Sequence, residues 1–441
     1  MAKVMFCVEK KVVLRYSHLE LYGKNIKRGI MIDLNVLREN PELVIVSLKK
    51  KDPSYDVEKL IKLDKEIRTV RSDVESLRAQ KNELAKQGRG GITPELREQS
   101  VTISNRLKEQ EERLETVEID FRSHYLSCPN VLEDSVPAGN VESNLLVKKN
   151  GTKPSYDFTL KNHAELGAAL GWLDFETATR LAGANFALYK GDGVKLLYAL
   201  AMFMLKHNNA HGFNFVLPSV LVNERSLEVT GNFPKFKDQA FAVPGDDLYL
   251  TPTSEVNLTN MYRDHIFMKE DLPVRMTAFT SCFRREGGGY GATERGLIRM
   301  RQFEKVEIVS ICTPEESWKE HERMLACSEE ILQKLGLHYQ VLLLAGQDAS
   351  FSSAKTYDIE VWCPGQNEYK EVSSVSNCTD FQARRGMIRY KEKVDGKTQP
   401  VHTLNGSSLA LPRLMVALME TYQQPDGTIA IPEILKKEGL Y

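Results

Sequence analysis

Between Asp56 and Gln87 the chain has neither proline nor glycine. Leu60, Leu63, Ile67, Val70, Val74, Leu77 and Leu84 recur there at three- and four-residue steps, with Lys81 in one seam position. This is an a/d heptad seam, which closes into one stripe only on a long helix. At about 1.5 Å per residue such a helix runs about 45 Å. It stops in Gln87-Gly-Arg-Gly-Gly91, where the glycines let the backbone reverse. Thr93-Pro94-Glu95 then starts a second helix, with proline tolerated in the first turn. Ile103, Leu107, Leu114, Val117 and Phe121 form its seam, interrupted at Gln110. Two long helices joined by a tight turn run antiparallel and bury little beyond each other's stripe. The sequence therefore predicts a helical hairpin over about residues 56–126, projecting as an arm.

The seam alone suits a dimerisation coiled coil as well as a binding arm. The first helix also carries Lys59, Lys62, Lys65, Arg68, Arg71, Arg78 and Lys86, with Arg89 at the tip. Acidic residues are interleaved, so ordinary i,i+4 pairing is one reading. A basic face lying along a nucleic-acid backbone is the other. Lysine plus arginine total 59 against 60 for aspartate plus glutamate, so a nucleic acid would have to be held by a local basic surface.

A chain of 441 residues has room for two or three domains. Residues 1–30 read as an extension of uncertain role, with Met31 a second possible start. Met31 to Glu42 reads as a helix. Residues 31–135 read as the arm-bearing domain and residues 136–441 as a second domain. In the latter, helices and alternating strands mix. Strands and hairpins dominate from Asp247 to Ser374, and a helix runs from about Leu409 to Tyr422, an α+β pattern. The longest apolar run, Leu196 to Leu205, is half of what a membrane span needs (about 20 residues) and predicts a buried helix. Seven cysteines with no CxxC pair argue against a secreted disulfide scaffold and a zinc ribbon.

No P-loop is present. Gly287-Gly-Gly-Tyr-Gly-Ala292 has the letters of a dinucleotide fingerprint, but Leu297 to Ile311 alternates as a strand where that fingerprint needs a helix. The glycines read instead as the loop of a long hairpin. In its first strand Thr280, Cys282, Arg284 and Glu286 share a face. In its second, Arg299, Arg301, Phe303, Lys305 and Glu307 do. Such a face is either solvated or a ligand floor. An arginine, a carboxylate and a flat ring together suit a nucleotide's phosphate, amine and base.

Phe283-Arg-Arg-Glu286, the glycine-rich loop, Arg299 and Phe303 together resemble motif 2 of the class II aminoacyl-tRNA synthetases. Gly212-Phe213 through Pro218, then Ser219 to Val222, resembles motif 1, the dimer-forming strand. Asn405-Gly-Ser407 leading to Leu409-Ala-Leu-Pro-Arg413 resembles motif 3. TPTSEV (251–256), CFRREGGGYGATERGLIRMRQFEKVEI (282–308), YDIEVWCPGQNEYKEVSSVSN (357–377) and HTLNGSSLALPR (402–413) narrow the likeness to the bacterial-type seryl-tRNA synthetase family. The resemblance spans residues 31–441. It departs from many class II enzymes at residues 1–30 and at Ser407, Ser408 and Pro412, which replace a more glycine-rich stretch.

The resemblance implies activation of L-serine by ATP and transfer of the seryl group to tRNA(Ser) through the arm, with tRNA(Sec) left open, in a cytoplasmic homodimer that needs no membrane. It implies that Arg284 bridges the α-phosphate and the substrate carboxylate, with Arg285 beside it. Glu286 would read the adenine amine, Phe303 would stack on the base, and Met300 would line the pocket through its backbone. Arg413 would hold the γ-phosphate. Glu371, Val372, Ser373 and Ser374 would contact ATP, with Glu371 the main Mg²⁺ ligand and Ser374 a second, and with a merely local hydrogen bond the alternative for Ser373. Thr253, Ser254, Glu255, Glu307 and Ser407 would surround serine. Arg284, Arg413 and Glu371 are the catalytic set. No protein nucleophile is needed, because the substrate carboxylate attacks. His207 and His211 are i,i+4 but lack an HExxH context, so no zinc is expected. The rivals are a class II-like enzyme with another amino acid or a carrier substrate, and a non-catalytic RNA-binding coiled-coil protein.

Overall fold

The computed structural model describes residues 34–286 and 296–440; residues 1–30 and the stretch Gly287–Ala292 discussed above lie outside them. The chain divides into two compact units, one ending at Pro129 and the next beginning at Asn130. In the first, two short helices, Leu34–Glu39 and Pro41–Lys51, replace the single helix expected from Met31. Asn40 breaks them at φ −140°, because a proline ring disfavours the helical conformation in the residue before it.

The hairpin consists of α1 (Val57–Gln87) and α2 (Pro94–Leu126). Asp56 caps α1 by accepting from the Lys59 N–H, and Thr93 caps α2 by accepting from the Leu96 N–H. Gly91, at φ +128°, supplies the reversal that other residues resist. Leu60, Leu63, Ile67, Val70, Val74 and Leu77 are buried along α1, and Leu107 and Val117 along α2. At the open end Tyr55 stacks on His124 with ring centroids 4.9 Å apart.

The charges partly clamp the hairpin across its seam. Arg71 pairs with Glu118 at 2.7 Å, Arg78 with Glu111 at 2.7 Å and Arg113 with Glu66 at 2.8 Å. Exposed pairs of this kind contribute about 0–1 kcal/mol each, so the apolar seam carries most of the stability. Lys59, Lys62 and Lys65 are exposed and make no ion pair among the described residues.

The second unit is built on an eight-stranded sheet. Its strands are β1 (Leu145–Asn150), β2 (Asn214–Phe215), β3 (Val274–Phe283), β4 (Gln302–Cys312), β5 (Tyr339–Leu343), β6 (Lys355–Cys363), β7 (Glu368–Asn377) and β8 (His402–Ala410). They lie in the order β1-β5-β6-β7-β8-β4-β3-β2. All neighbours are antiparallel except β2 and β3. The edge strand β1 is exposed throughout and carries Lys148 and Lys149, residue types that discourage edge-to-edge pairing.

Helices α3 (Asp192–Ala210), α4 (Ser254–Asn260), α5 (Ser317–Lys334) and α6 (Leu411–Thr421) pack against this sheet. The apolar sides of α3, α5 and α6 share one core with Val306, Ile308, Val372, Val375 and Leu404 of the sheet. Helix α5 falls where the sequence reads mainly as strands. Its Met324, Leu325, Ser328, Ile331 and Leu332 nevertheless recur at helical spacing, and all are buried. Among the described residues no helix is long and apolar enough to cross a membrane.

Leu77 packs with Val70, Val74 and Leu107. Leu77→Ala is expected to destabilise the hairpin by about 2–4 kcal/mol. Hydrogen exchange read by mass spectrometry should then show faster exchange in α1 and α2 with the eight-stranded sheet unchanged.

Candidate active site

The site lies on the polar face of the sheet. Cys282 faces Phe303, Thr280 faces Lys305 and Ala278 faces Glu307 across the β3–β4 pair. Phe303, Lys305 and Glu307 therefore point away from the side to which Val306 and Ile308 turn. Ser407 of β8 sits opposite Glu307 and adds Asn405 on the same side. Strict alternation would send Glu371 and Ser374 of β7 to opposite faces. The register instead slips between Glu371 and Ser373, and this bulge brings Glu371, Ser374 and Ser376 into one cavity wall.

Strand β4 begins at Gln302, so the expected strand from Leu297 is shorter than its alternation suggests. The preceding residues are held by other partners: the Leu297 N–H by His163 Nε2 at 3.1 Å, and the Arg301 N–H by the Asn185 carbonyl at 2.8 Å. Arg284 and Glu286 likewise lie beyond the end of β3. Glu286 takes a positive φ of 48°, uncommon for a residue with a side chain.

Two neighbouring cavities result. The larger, about 350 Å³, is lined by Thr253, Glu255, Arg284, Lys305, Glu307, Asn405 and Ser407 among others. The smaller, about 120 Å³, is lined by Glu286, Arg299, Met300, Phe303 and Arg413. Both include Arg284, Lys305, Glu371 and Ser407, so these residues stand between them.

In the larger cavity Lys305 and Glu307 form a buried ion pair. Lys305 also donates to Thr253 Oγ1 at 2.8 Å, and that hydroxyl lies 3.1 Å from Glu307 Oε2. Glu255 Oε1 accepts from Gln382 Nε2 at 2.6 Å and from Asn405 Nδ2 at 2.9 Å. Burial, and then the Glu307 charge, push the Glu255 carboxyl up to about 7. In the smaller cavity Arg299 Nε donates to Glu286 Oε2 at 2.6 Å. The Arg284 guanidinium lies 5.3 Å from the centre of the Phe303 ring. Arg413 pairs with Glu371 Oε2 at 3.1 Å and donates to the Ile298 carbonyl at 3.2 Å.

Thr253, Glu255, Arg284, Glu286, Met300, Phe303, Glu307, Glu371, Ser374, Ser407 and Arg413 thus all line one or both cavities. Four expected residues do not. Ser254 turns to Thr280 at 2.7 Å. Arg285 lies over the Phe241 ring, 5.7 Å from its centre. Val372 belongs to the apolar core. Ser373 is fully buried and donates to the Ser407 carbonyl. Met300 has its side chain in the core as well.

Sequence reasoning gave no role to Lys305, Gln382, Asn405 or Asp358. Lys305 and Asn405 sit two residues from Glu307 and Ser407, so strand alternation alone could have found them. Gln382 and Asp358 come from distant segments and carry no such signal. Asp358 accepts from the Ser374 hydroxyl. Burial, and then the Glu371 charge, push its carboxyl well above the usual carboxylate range. Glu371, Ser374 and Asp358 form an oxygen donor set of the kind a hard divalent cation such as Mg²⁺ prefers.

Elsewhere, His207, His211 and Cys327 have ligand-type atoms within 4.8 Å of one another. Their ring nitrogens are engaged within the protein. His207 faces the Cys327 carbonyl at 3.0 Å and the Lys334 ammonium at 3.1 Å, and His211 faces the His207 carbonyl at 2.9 Å and Glu330 at 2.8 Å.

A mostly antiparallel sheet with three core helices on one face and a charged double cavity on the other is the core of the class II synthetases. The family model "tRNA synthetase class II core domain (G, H, P, S and T)" matches residues 238–422, and "Seryl-tRNA synthetase N-terminal domain" matches residues 31–132. A serine--tRNA ligase of Desulfotalea psychrophila is 44% identical over 92% of this chain and 98% of its own length. One of Syntrophobacter fumaroxidans is 45% identical over the same shares of the two chains. The crystal structure of seryl-tRNA synthetase from Pyrococcus horikoshii complexed with ATP superposes with a TM-score of 0.85 and 34% identity, covering 92% of this chain and 98% of that one. The chain belongs to the seryl-tRNA synthetase family.

Because its pKa is raised from 4.5 to about 7, Glu255 favours folding in its neutral form. That contribution is complete below about 4.5 and is lost as pH rises through about 7. Glu255→Gln keeps the Oε1 acceptor and removes the titration. It should stabilise the free protein by roughly 1–3 kcal/mol at pH 8 and hardly at all at pH 4, as read by urea unfolding at each pH.

Proposed function

We propose that this chain joins L-serine to ATP, forming seryl-adenylate and pyrophosphate, and passes the seryl group to the 3′ end of tRNA(Ser). The observation that carries the reading is the pair of neighbouring cavities, with hydroxyls and carboxylates in one, a ring and arginines in the other, and Arg284 between them.

The larger cavity takes serine. Its ammonium pairs with Glu255, whose buried carboxyl ionises readily once a cation is beside it. Its hydroxyl meets Thr253, Glu307 and the Ser407 region. A cavity that hydrogen-bonds the hydroxyl rejects alanine, since buried polar groups would be left unpaired. The smaller cavity takes adenine, with Phe303 stacking on the base and Glu286 accepting from its amine.

The serine carboxylate attacks the α-phosphorus, and the bond to pyrophosphate breaks. Arg284 holds the carboxylate and the α-phosphate together, and Arg413 draws the departing pyrophosphate. This is orientation and charge neutralisation, with no protein nucleophile. Glu371, Ser374 and Asp358 would hold Mg²⁺, which when bound supplies further charge neutralisation on the phosphates. The terminal ribose hydroxyl of tRNA then attacks the seryl carbonyl, and AMP leaves.

The hairpin serves as the tRNA-binding arm of the 31–135 domain, and the catalytic domain is 136–441. Lys59, Lys62 and Lys65 suit phosphate contacts, and shape reading of a helical RNA needs no sequence-reading module. The assembly is a homodimer. Phe215, Leu217 and Leu221 in the motif 1 segment, with Tyr198 and Met202 of α3, leave an exposed apolar surface suited to a second copy. We place the enzyme in the cytoplasm, where its buried free thiols stay reduced.

ATP–pyrophosphate exchange with each of the twenty amino acids tests the reading. Exchange is expected with serine alone, with Arg284→Ala abolishing it and Arg413→Ala lowering kcat about 10²–10³-fold. The KM for serine should fall by up to about tenfold per pH unit as pH rises towards 7, a trend that Glu255→Gln removes. Exchange with another amino acid would refute the serine assignment. No exchange from a folded protein that binds tRNA would favour the RNA-binding rival.

A further inference from the structure

Leu297 and Ile298 open the short segment that leads into β4. Leu297, Ile298, Arg299 and Met300 all line the smaller cavity. The Ile298 carbonyl also orients Arg413, accepting from its Nε at 3.2 Å. Where this segment sits therefore decides both the width of the cavity and the aim of a catalytic arginine. At its far end the backbone is tied to other backbone: Arg301 donates to the Asn185 carbonyl at 2.8 Å and accepts from the Arg284 N–H at 2.9 Å. At its near end the tie is a side chain, His163.

His163 is 3% exposed and opens the helix His163–Ala169. Its Nε2 lies 3.1 Å from the Leu297 amide nitrogen, and its Nδ1 lies 3.2 Å from Glu420 Oε1. The network fixes the tautomer. The amide can only donate, so Nε2 is bare, and Nδ1 carries the proton and gives it to the carboxylate. Glu420, in α6, is fully buried. The same Oε1 also accepts from the His163 N–H at 3.0 Å and from Gln366 Nε2 at 2.9 Å. Gly296 is matched to this arrangement. A Cβ there would lie 2.3 Å from His163 Nε2, and its φ of +74° suits glycine. Glycine at this position thus leaves room for the imidazole to reach the Leu297 amide.

We propose that His163, held by Glu420, is a positioning residue for the nucleotide half of the reaction. Its bare Nε2 fixes the Leu297 amide and with it the cavity wall and the Ile298 carbonyl that aims Arg413. The inference rests on the smaller cavity taking ATP. His163 itself lines neither cavity, so its effect passes through the backbone.

Two amide variants separate this role from plain core packing. Gln places a side-chain carbonyl near the Nε2 position and can still accept from Leu297. Asn places it near the Nδ1 position and cannot reach. Both fill a comparable space and carry the same groups. In serine-dependent pyrophosphate exchange, His163→Asn is expected to raise the KM for ATP about tenfold, as losing one buried backbone hydrogen bond would. The KM for serine should change less than about twofold, and His163→Gln should restore the KM for ATP to near wild type. Equal effects of Asn and Gln, or parallel rises in both KM values, would overturn the proposal. Equilibrium binding of ATP to the same three proteins is measured alongside. If the wild type binds ATP but exchanges with no amino acid, the serine-activation reading fails. The Asn-against-Gln difference in ATP affinity then still decides the role of His163.

Discussion

Strands β4, β7 and β8 are adjacent in the sheet and asymmetric through it, and the catalytic half of the molecule depends on that asymmetry. Residues such as Val306, Ile308, Val375 and Leu404 enter the common core with α3, α5 and α6. Their alternates, Lys305, Glu307, Ser374, Ser376 and Asn405, are thereby committed to the opposite face. The helices need that apolar side, and the site inherits what is left. The buried Lys305–Glu307 pair is tolerable there because Thr253 joins it by hydrogen bonds and each charge has a partner. A one-residue slip of β4 would exchange the faces and bury both charges against α3 and α6. Packing and catalysis thus specify the same register.

The bulge in β7 departs from that rule, and it has a chemical result. Without it Glu371 and Ser374 would point to opposite sides. With it they meet Asp358 on one side, and a carboxylate, a hydroxyl and a second carboxylate converge. The cost of gathering acidic groups is visible at Asp358, whose carboxyl is driven up by burial and by its neighbour. A hard divalent cation would find oxygen donors of both kinds there.

Local pattern made much of this legible in sequence. The hairpin was readable because a heptad seam, a glycine turn and a proline-bearing helix start all agree. The faces of the β3–β4 pair were readable because strand alternation is a strict period. What could not be read depends on partners far along the chain. Leu297 to Arg301 alternates like a strand, yet His163 and Asn185 take its amides and hold it off the sheet. The helix Ser317–Lys334 shows its period plainly only once the strands around it are removed from consideration. Arg285 and Ser254 sit within motifs whose neighbours line the cavities. Their own side chains turn to Phe241 and Thr280, which spacing along the chain cannot reveal. The bulge is equally silent, since no glycine or proline marks Val372.

In the free protein each charged group of the site already has a partner of its own kind of chemistry. Arg299 holds Glu286, Glu371 holds Arg413, the Phe303 ring lies beside Arg284, and Gln382 with Asn405 holds Glu255. These contacts keep the side chains extended into the cavities and near the positions where a base, a phosphate or an ammonium would meet them. Binding then exchanges one polar partner for another and orders little that was loose, which limits the entropy that must be overcome. The exchange is not neutral at Glu255, where a buried carboxyl pushed up to about 7 would acquire a cation and release the proton it holds below that pH. On the proposed reading, serine capture would therefore be coupled to proton release at Glu255.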